Sequence, residues 1–459
     1  MQKTDDNEMS KSSEITDILY GSETAKALTN FTISELKMPR AFLWAIATLK
    51  SACAQANQEL GLLDADKSVA IQLAAQEVAD GFHVNQFPVD VFQTGSGTST
   101  NMNVNEVIAS LVKRNSQQSI NLHPNDDVNM GQSSNDVIPS CIHLSAAKLI
   151  SEELLPSLQH LIDTLDAKAS EHRSTIKTGR THLMDAMPLS FAQEISGWSS
   201  QISYAHEQLK NSLPSLYKLA IGGTAIGTGV NTHPEFAAIV TRVLSERTGL
   251  TFTAADNYFR AISAQDTAVQ VSGILKTSAV SLSKVSNDIR WLSSGPLNGL
   301  NELQLPELQK GSSIMPGKVN PVIPEAVLMA CTQVIGNDTT ITLAGQSGNF
   351  QLNTMLPLIG HTLLQSIQLL SSSSTALADK AIKGMQVNQT IINQNLARNP
   401  ILATALTHLI GYDKSAEIAK KAYQGQRTVL DVALELTDIS ETELIALLDP
   451  KRLTSGGNA

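Results

Sequence analysis

The chain predicts a mainly α-helical protein built around long helices packed side by side, and three observations lead there. Ala, Leu, Gln and Glu recur throughout, while alternating β-branched runs are scarce. The windows 140–178, 189–212, 256–294, 325–344 and 361–383 carry apolar residues at three- and four-residue steps, the period of a helix face. Few breakers interrupt them, so several are long enough for helices of roughly 30–60 Å at ~1.5 Å per residue. Within 256–294, Val271, Ile274, Leu275, Leu282, Val285 and Ile289 form one stripe. Val269 and Val280 lie opposite it, with Ala268 and Ala279 beside them. A helix apolar on more than one side needs neighbours on more than one side. A long-helix bundle completed by other subunits is therefore the economical arrangement, and no fixed-period repeat points to a solenoid.

A length of 459 residues suggests about three domain-sized units. With 42% hydrophobic and 17% charged residues the composition is that of a folded chain, not a disordered or fibrous one. The three cysteines, Cys53, Cys141 and Cys331, are far apart and never paired as CxxC, which excludes a disulfide scaffold, a structural zinc site and an iron–sulfur cluster. A net charge of −10 argues against nucleic acid or an anionic membrane as partner; an anionic ligand would need a local site to overcome the global field. The polar, acidic start Met1–Glu8 has no apolar core of a secretory leader, and no run reaches the roughly 18 apolar residues of a membrane span. The expectation is a cytoplasmic protein in which the Asn30-Phe31-Thr32 sequon is idle.

Between the helical windows lie polar, Gly-rich segments: Thr94–Asn103, His123–Asn129, Gly131–Asp136, Gly179–His182, Gly222–Gly229 and Gly311–Pro321. Loops on a rigid scaffold are where binding and catalysis concentrate. Composition shifts again near residue 390, after which the chain is more charged. This predicts an N-terminal, mostly helical domain over 1–131, a central bundle domain over 132–389 and a small C-terminal helical domain over 390–459.

Familiar catalytic signatures are missing. Gly311 to Lys318 is misspaced for a phosphate loop, and Val319 stands where a magnesium-binding hydroxyl is required. Gly227-Thr228-Gly229 lacks the third glycine of a dinucleotide fingerprint, and neither GxSxG nor HExxH occurs. What remains suits a small polyanion. In Gly311–Pro321, glycines let backbone N–H groups approach a ligand, and a serine among amide donors and Lys318 could act as a base; the same composition is also that of an ordinary linker. His182, one of ten histidines, reads on its own as a satisfied structural histidine before a catalytic one. Glu325 follows Pro324 at a helix start, where a carboxylate favours the helix dipole. Ser133-Ser134-Asn135-Asp136 reads as a helix N-cap, which is also a ready carboxylate site. Ser96 and Thr98 fit turn positions.

Taken together, Gly311-Ser312-Ser313-Ile314-Met315-Pro316-Gly317-Lys318-Val319-Asn320-Pro321 resembles the signature of the fumarase/aspartase superfamily, and the other loops, in this order, resemble class II fumarases. The resemblance runs from Leu19-Tyr20-Gly21 to Gly411-Tyr412-Asp413-Lys414. It implies a three-domain fumarase/aspartase-like fold and a homotetramer whose central helices form one bundle, with active sites assembled from loops of three subunits. Aspartate ammonia-lyase is the rival within the superfamily. Val322-Ile323-Pro324-Glu325 and Gly336-Asn337-Asp338-Thr339-Thr340 lean towards it. Arg180-Thr181-His182-Leu183, with histidine where aspartases resemble one another in having glutamine, leans to the hydratase, as do His123–Asp127 and Gly348–Asn353.

The reaction implied is the reversible anti hydration of fumarate to L-malate, a C4 dicarboxylate, with no metal or cofactor. By resemblance, Ser312 is the base, its anion held by loop amides and Lys318; Lys318 and Asn320 grip a substrate carboxylate. Ser96, Thr98, Ser133, Ser134, Asn135 and Thr181 orient the dianion, and His182, polarised by Glu325, handles water. Related fumarases have a second anion site near the histidine of the HPND segment, preceded by a basic residue. Here His123, Asn125 and Asp126 remain, but Ser119-Ile120-Asn121-Leu122 carries no such charge, so a turn with an Asx cap is an equal reading. A non-catalytic helical scaffold is the alternative from another class; it would have no use for Ser312, Lys318, Asn320, His182 and Glu325.

Overall fold

The computed structural model describes residues 18–115 and 120–455. Met1–Glu8 and Ser119 lie outside the described residues. The chain forms two compact units: residues 1–145, 215–268 and 343–364 make the first, and 146–214, 269–342 and 365–459 the second.

In the first unit the helix Arg40–Glu59 is the centrepiece. Phe42, Leu43, Ile46 and Leu49 are buried along it, and the small Ala45, Ala52 and Ala56 let neighbouring backbones come close. The helices Ala65–Ala79 and Phe236–Thr248 pack against it. The latter stops at Gly249, whose φ of +71° suits a left-handed C-terminal cap. The helix Ser22–Asn30 has its N-terminus capped from a distance: the Glu106 carboxylate accepts the Gly21, Glu23 and Thr24 N–H groups at 2.9, 2.9 and 3.1 Å and the Thr24 hydroxyl at 2.6 Å. The helix Thr98–Asn115 begins inside a segment expected to be loop. Thr and Asn disfavour helix locally, but here they are buried and bonded; Asn103 Nδ2, for example, donates to Gln86 O at 2.9 Å.

In the second unit the expected stripe is observed. Val271, Leu275, Leu282, Val285 and Ile289 are buried on the helix Asp266–Leu292, as is Ala279 beside them, while Ile274, expected in the stripe, is only half-buried. Val280, opposite, is 54% exposed. Helical periodicity overran at two places. Tyr258–Ser263, which belongs to the first unit, is a helix of its own, ended by an extended Ala264 before Asp266–Leu292 begins. The window 140–178 ends its helix at Glu171, and Ile176–Thr181 instead forms a strand paired antiparallel with Met184–Ser190. Leu402, Leu406, Ile418, Val432 and Leu444 form a small core of their own among the C-terminal helices. One of these, Val429–Leu436, starts on a Thr428/Asp431 capping box. Among the described residues no helix is long and apolar enough to cross a membrane, and no cluster of three or more His, Cys, Asp or Glu could hold a metal ion.

Candidate active site

In the first unit three of the Gly-rich segments converge. Gly97, at φ +75°, turns the chain into the helix Thr98–Asn115; a Cβ there would sit 2.8 Å from Ile138. Ser133 precedes the 16-residue helix Ser134–Leu149 as its N-cap: Ser133 Oγ accepts Asn135 N–H at 3.2 Å, and Asp136 Oδ1 accepts Ser133 N–H at 2.9 Å. Asp136 Oδ2 takes the Gly222 and Thr224 N–H groups at 3.0 and 2.8 Å, and Asn135 Nδ2 donates to Ala225 O at 2.7 Å, which locks the Gly222–Gly229 loop onto the helix start. Burial pushes the Asp136 carboxyl up to about 6, opposed by those amides and by the Lys50 charge. The hydroxyls form a chain: Ser96 Oγ to Thr98 Oγ1 at 2.8 Å, then Thr98 Oγ1 to Ser134 Oγ at 2.7 Å.

Thr98, Ser133 and Ser134 line a cleft of about 380 Å³ with Thr224 and Ala225; Ser96 and Asn135 stand outside its lining. Thr224 Oγ1 and, on one further lining residue, Asn101 Oδ1 are buried and find no hydrogen-bond partner among the described residues. Neutral donors at a helix N-terminus suit a carboxylate. The candidate second anion site is an exposed turn. His123 Nδ1 accepts Asp126 N–H at 3.1 Å and lies 3.1 Å from Asp126 Oδ2, while Asn125 faces solvent.

The second unit presents His182 at a hairpin tip. Thr181 pairs with Met184, leaving His182 and Leu183 as a two-residue turn at φ +57° and +63°. Such turns favour Asn-Gly; non-glycine residues in this region cost about 1 kcal/mol or more each and mark functional sites. The strand under the tip is fixed by buried charges. Lys177 Nζ lies 2.7 Å from both Glu194 and Glu302, and Arg180 pairs with Glu302 as well. Burial alone would raise the Glu302 carboxyl, but Arg180 and Lys177 hold it below its ordinary value. This network was not anticipated from sequence, because Glu302 lies 122 residues from Arg180 and no local spacing relates them. Removing one partner of a buried ion pair strands the other, so Glu302→Ala is expected to cost about 3 kcal/mol in urea unfolding. A loss below about 1 kcal/mol would show the charges to be independent.

The signature segment folds back on itself. Asn320 Nδ2 donates to Gly311 O at 2.6 Å, and a Cβ on Gly311 would fall 1.8 Å from Lys318 O, so only glycine permits the closure. Ser312 Oγ accepts the N–H groups of Ile314 and Met315 at 3.2 and 3.1 Å. Lys318, Asn320 and Glu325 line a cleft of about 760 Å³ together with Arg290 and Trp291. Glu325 stands in the first turn of the helix Val322–Gly345, which begins just ahead of Pro324. Ser312, Thr181 and His182 are not part of that cleft's lining, and no hydrogen bond joins Glu325 to His182 among the described residues.

Residues 11–336 match the protein family described as lyase, and residues 402–455 the one described as fumarase C C-terminus. The chain is 55% identical over 439 residues to fumarate hydratase class II 2 of Pseudomonas aeruginosa, covering 96% of this chain and 95% of that one. It is 53% identical to the class II fumarate hydratase of Xylella fastidiosa, with 96% and 93% covered. Among solved structures it is similar to a recombinant class II fumarase from Schistosoma mansoni, with a TM-score of 0.92, 39% identity and 96% of each chain covered. A cobalt-bound fumarate lyase:delta crystallin from Brucella melitensis gives 0.90 at 41% identity, again covering 96% of each chain.

Proposed function

The chain belongs to the class II fumarate hydratase family of lyases, and from that premise we propose that it catalyses the reversible anti elimination of water from L-malate to give fumarate. The observation that carries this reading is the likeness to fumarate hydratases along nearly the whole chain. A C–H bond beside a carboxylate is weakly acidic, so the base must be strong and the aci-carboxylate stabilised. Ser312 is the base, and the Ile314 and Met315 N–H groups already directed at its Oγ support an alkoxide there. Lys318 and Asn320 take the carboxylate whose charge grows. Ser96, Thr98, Ser133, Ser134, Asn135 and Thr181 orient the dianion. His182, as the imidazolium stabilised by Glu325, gives its proton to the departing hydroxyl so that it leaves as water, and in reverse takes a proton from the attacking water.

The site is completed by copies of the chain in a homotetramer. Support comes from apolar side chains left in water: Leu183 and Met184 at the hairpin tip are 69% and 70% exposed, and Met329 on the helix Val322–Gly345 is 69% exposed. A Glu325 supplied by another copy then reaches His182. The three-part division at 131/132 and 389/390 and a cytoplasmic location belong to the same reading. Following fumarate absorbance with L-malate and with L-aspartate tests it. Fumarate is expected from malate alone; release from aspartate alone would replace the hydratase by an ammonia-lyase.

A further inference from the structure

The loop 128–133, which ends in Ser133, is held from within by a charge. Lys50 is fully buried on the helix Arg40–Glu59, with Nζ 2.8 Å from Asn129 Oδ1 and 2.9 Å from Gln132 Oε1. An ammonium only donates, so it dictates which end of each amide faces it. With both oxygens turned to Lys50, the nitrogens brace the loop. Asn129 Nδ2 donates to Gln132 O at 3.1 Å, and Gln132 Nε2 donates to Val128 O and Met130 O, each at 3.1 Å. Asn129 Oδ1 also gathers Asn101 Nδ2 at 3.1 Å and Asn105 Nδ2 at 3.3 Å. Asn101, Asn129 and Gln132 line the same cleft as Thr98, Ser133 and Ser134.

A buried ammonium bonded to neutral amides is a costly choice where methionine would fill the space. The titratable groups acting on it are Cys53 on its own helix and Cys141 and Asp136 on the helix Ser134–Leu149, and the oxygens of Asp136 are already engaged by backbone amides. We propose that Lys50 is a positioning residue of this site: by orienting Asn129 and Gln132 it sets the loop 128–133, and with it Ser133 and Ser134, for a C4 dicarboxylate. This inference rests on the hydratase reading. Burial lowers the Lys50 ammonium to about 8, so its charge is present at neutral pH and is lost as pH rises through that value.

The test is Lys50→Met in the full-length protein. KM for L-malate and for fumarate is expected to rise about tenfold, with kcat within about threefold of the native value. The melting temperature should be unchanged or higher, since a desolvated charge has gone. In the native enzyme KM should rise about threefold between about pH 7 and 9.5 as charge-assisted bonds become neutral ones, whereas in the variant that rise is absent. An unmoved KM in the variant overturns the role of Lys50, as does a loss of kcat in parallel with a lower melting temperature. Should the variant not fold, the native profile decides, and a flat KM across that range overturns the proposal. An inactive native chain overturns the hydratase reading instead.

Discussion

Ser312→Ala is expected to lower turnover of L-malate about a thousandfold or more, equivalent to roughly 4 kcal/mol of transition-state stabilisation at ~1.36 kcal/mol per decade. The size follows from what the side chain supplies. In the proposed site, alanine leaves Lys318 and Asn320 to bind the diacid, but nothing to remove the C3 proton. KM should therefore move little while kcat collapses. The segment is solvent-facing and closed by the Asn320–Gly311 bond, which does not involve the serine hydroxyl, so thermal unfolding should be unchanged. Exchange of the malate C3 hydrogen with deuterated water isolates the step and should vanish with turnover. A variant retaining a tenth of native activity would remove Ser312 from the base role.

His182→Asn is expected to cost about a hundred- to ten-thousandfold in hydration, the usual worth of a positioned proton carrier. Asparagine is the informative replacement because it tolerates the left-handed backbone at φ +57° better than most residues. The turn between Thr181 and Met184 should keep its geometry and gain slightly in stability, so lost activity cannot be ascribed to a disturbed hairpin. Exchange at C3 should outlast loss of hydration in this variant if, as proposed, Ser312 removes the proton before hydroxide departs. Full activity in the His182→Asn enzyme would return the histidine to a structural role.

The long helices and the stripe Val271–Ile289 were legible because a 3.6-residue period is a local property of the chain. The Ser133 cap was legible for the same reason, as its partners lie within three residues. The hairpin Ile176–Ser190 was missed: its strand continues the apolar spacing of the preceding window, and its pairing depends on the residues after the turn. Thr98–Asn103 has the composition of a loop, because local polar propensity is blind to the buried amide network that overrides it. Lys50 did have a signal, the lone charge in the mostly apolar stretch Leu43–Ala54, but only the distant Asn129 and Gln132 give that charge a purpose.

The Asn320–Gly311 tie has a mechanical corollary. Were the segment to move, this tie at its neck would make it swing as one body, with bending confined to the stems on either side. If such swinging limits product escape, kcat should fall in proportion to added sucrose viscosity, and Asn320→Ala, by slackening the lace, should abolish that proportionality.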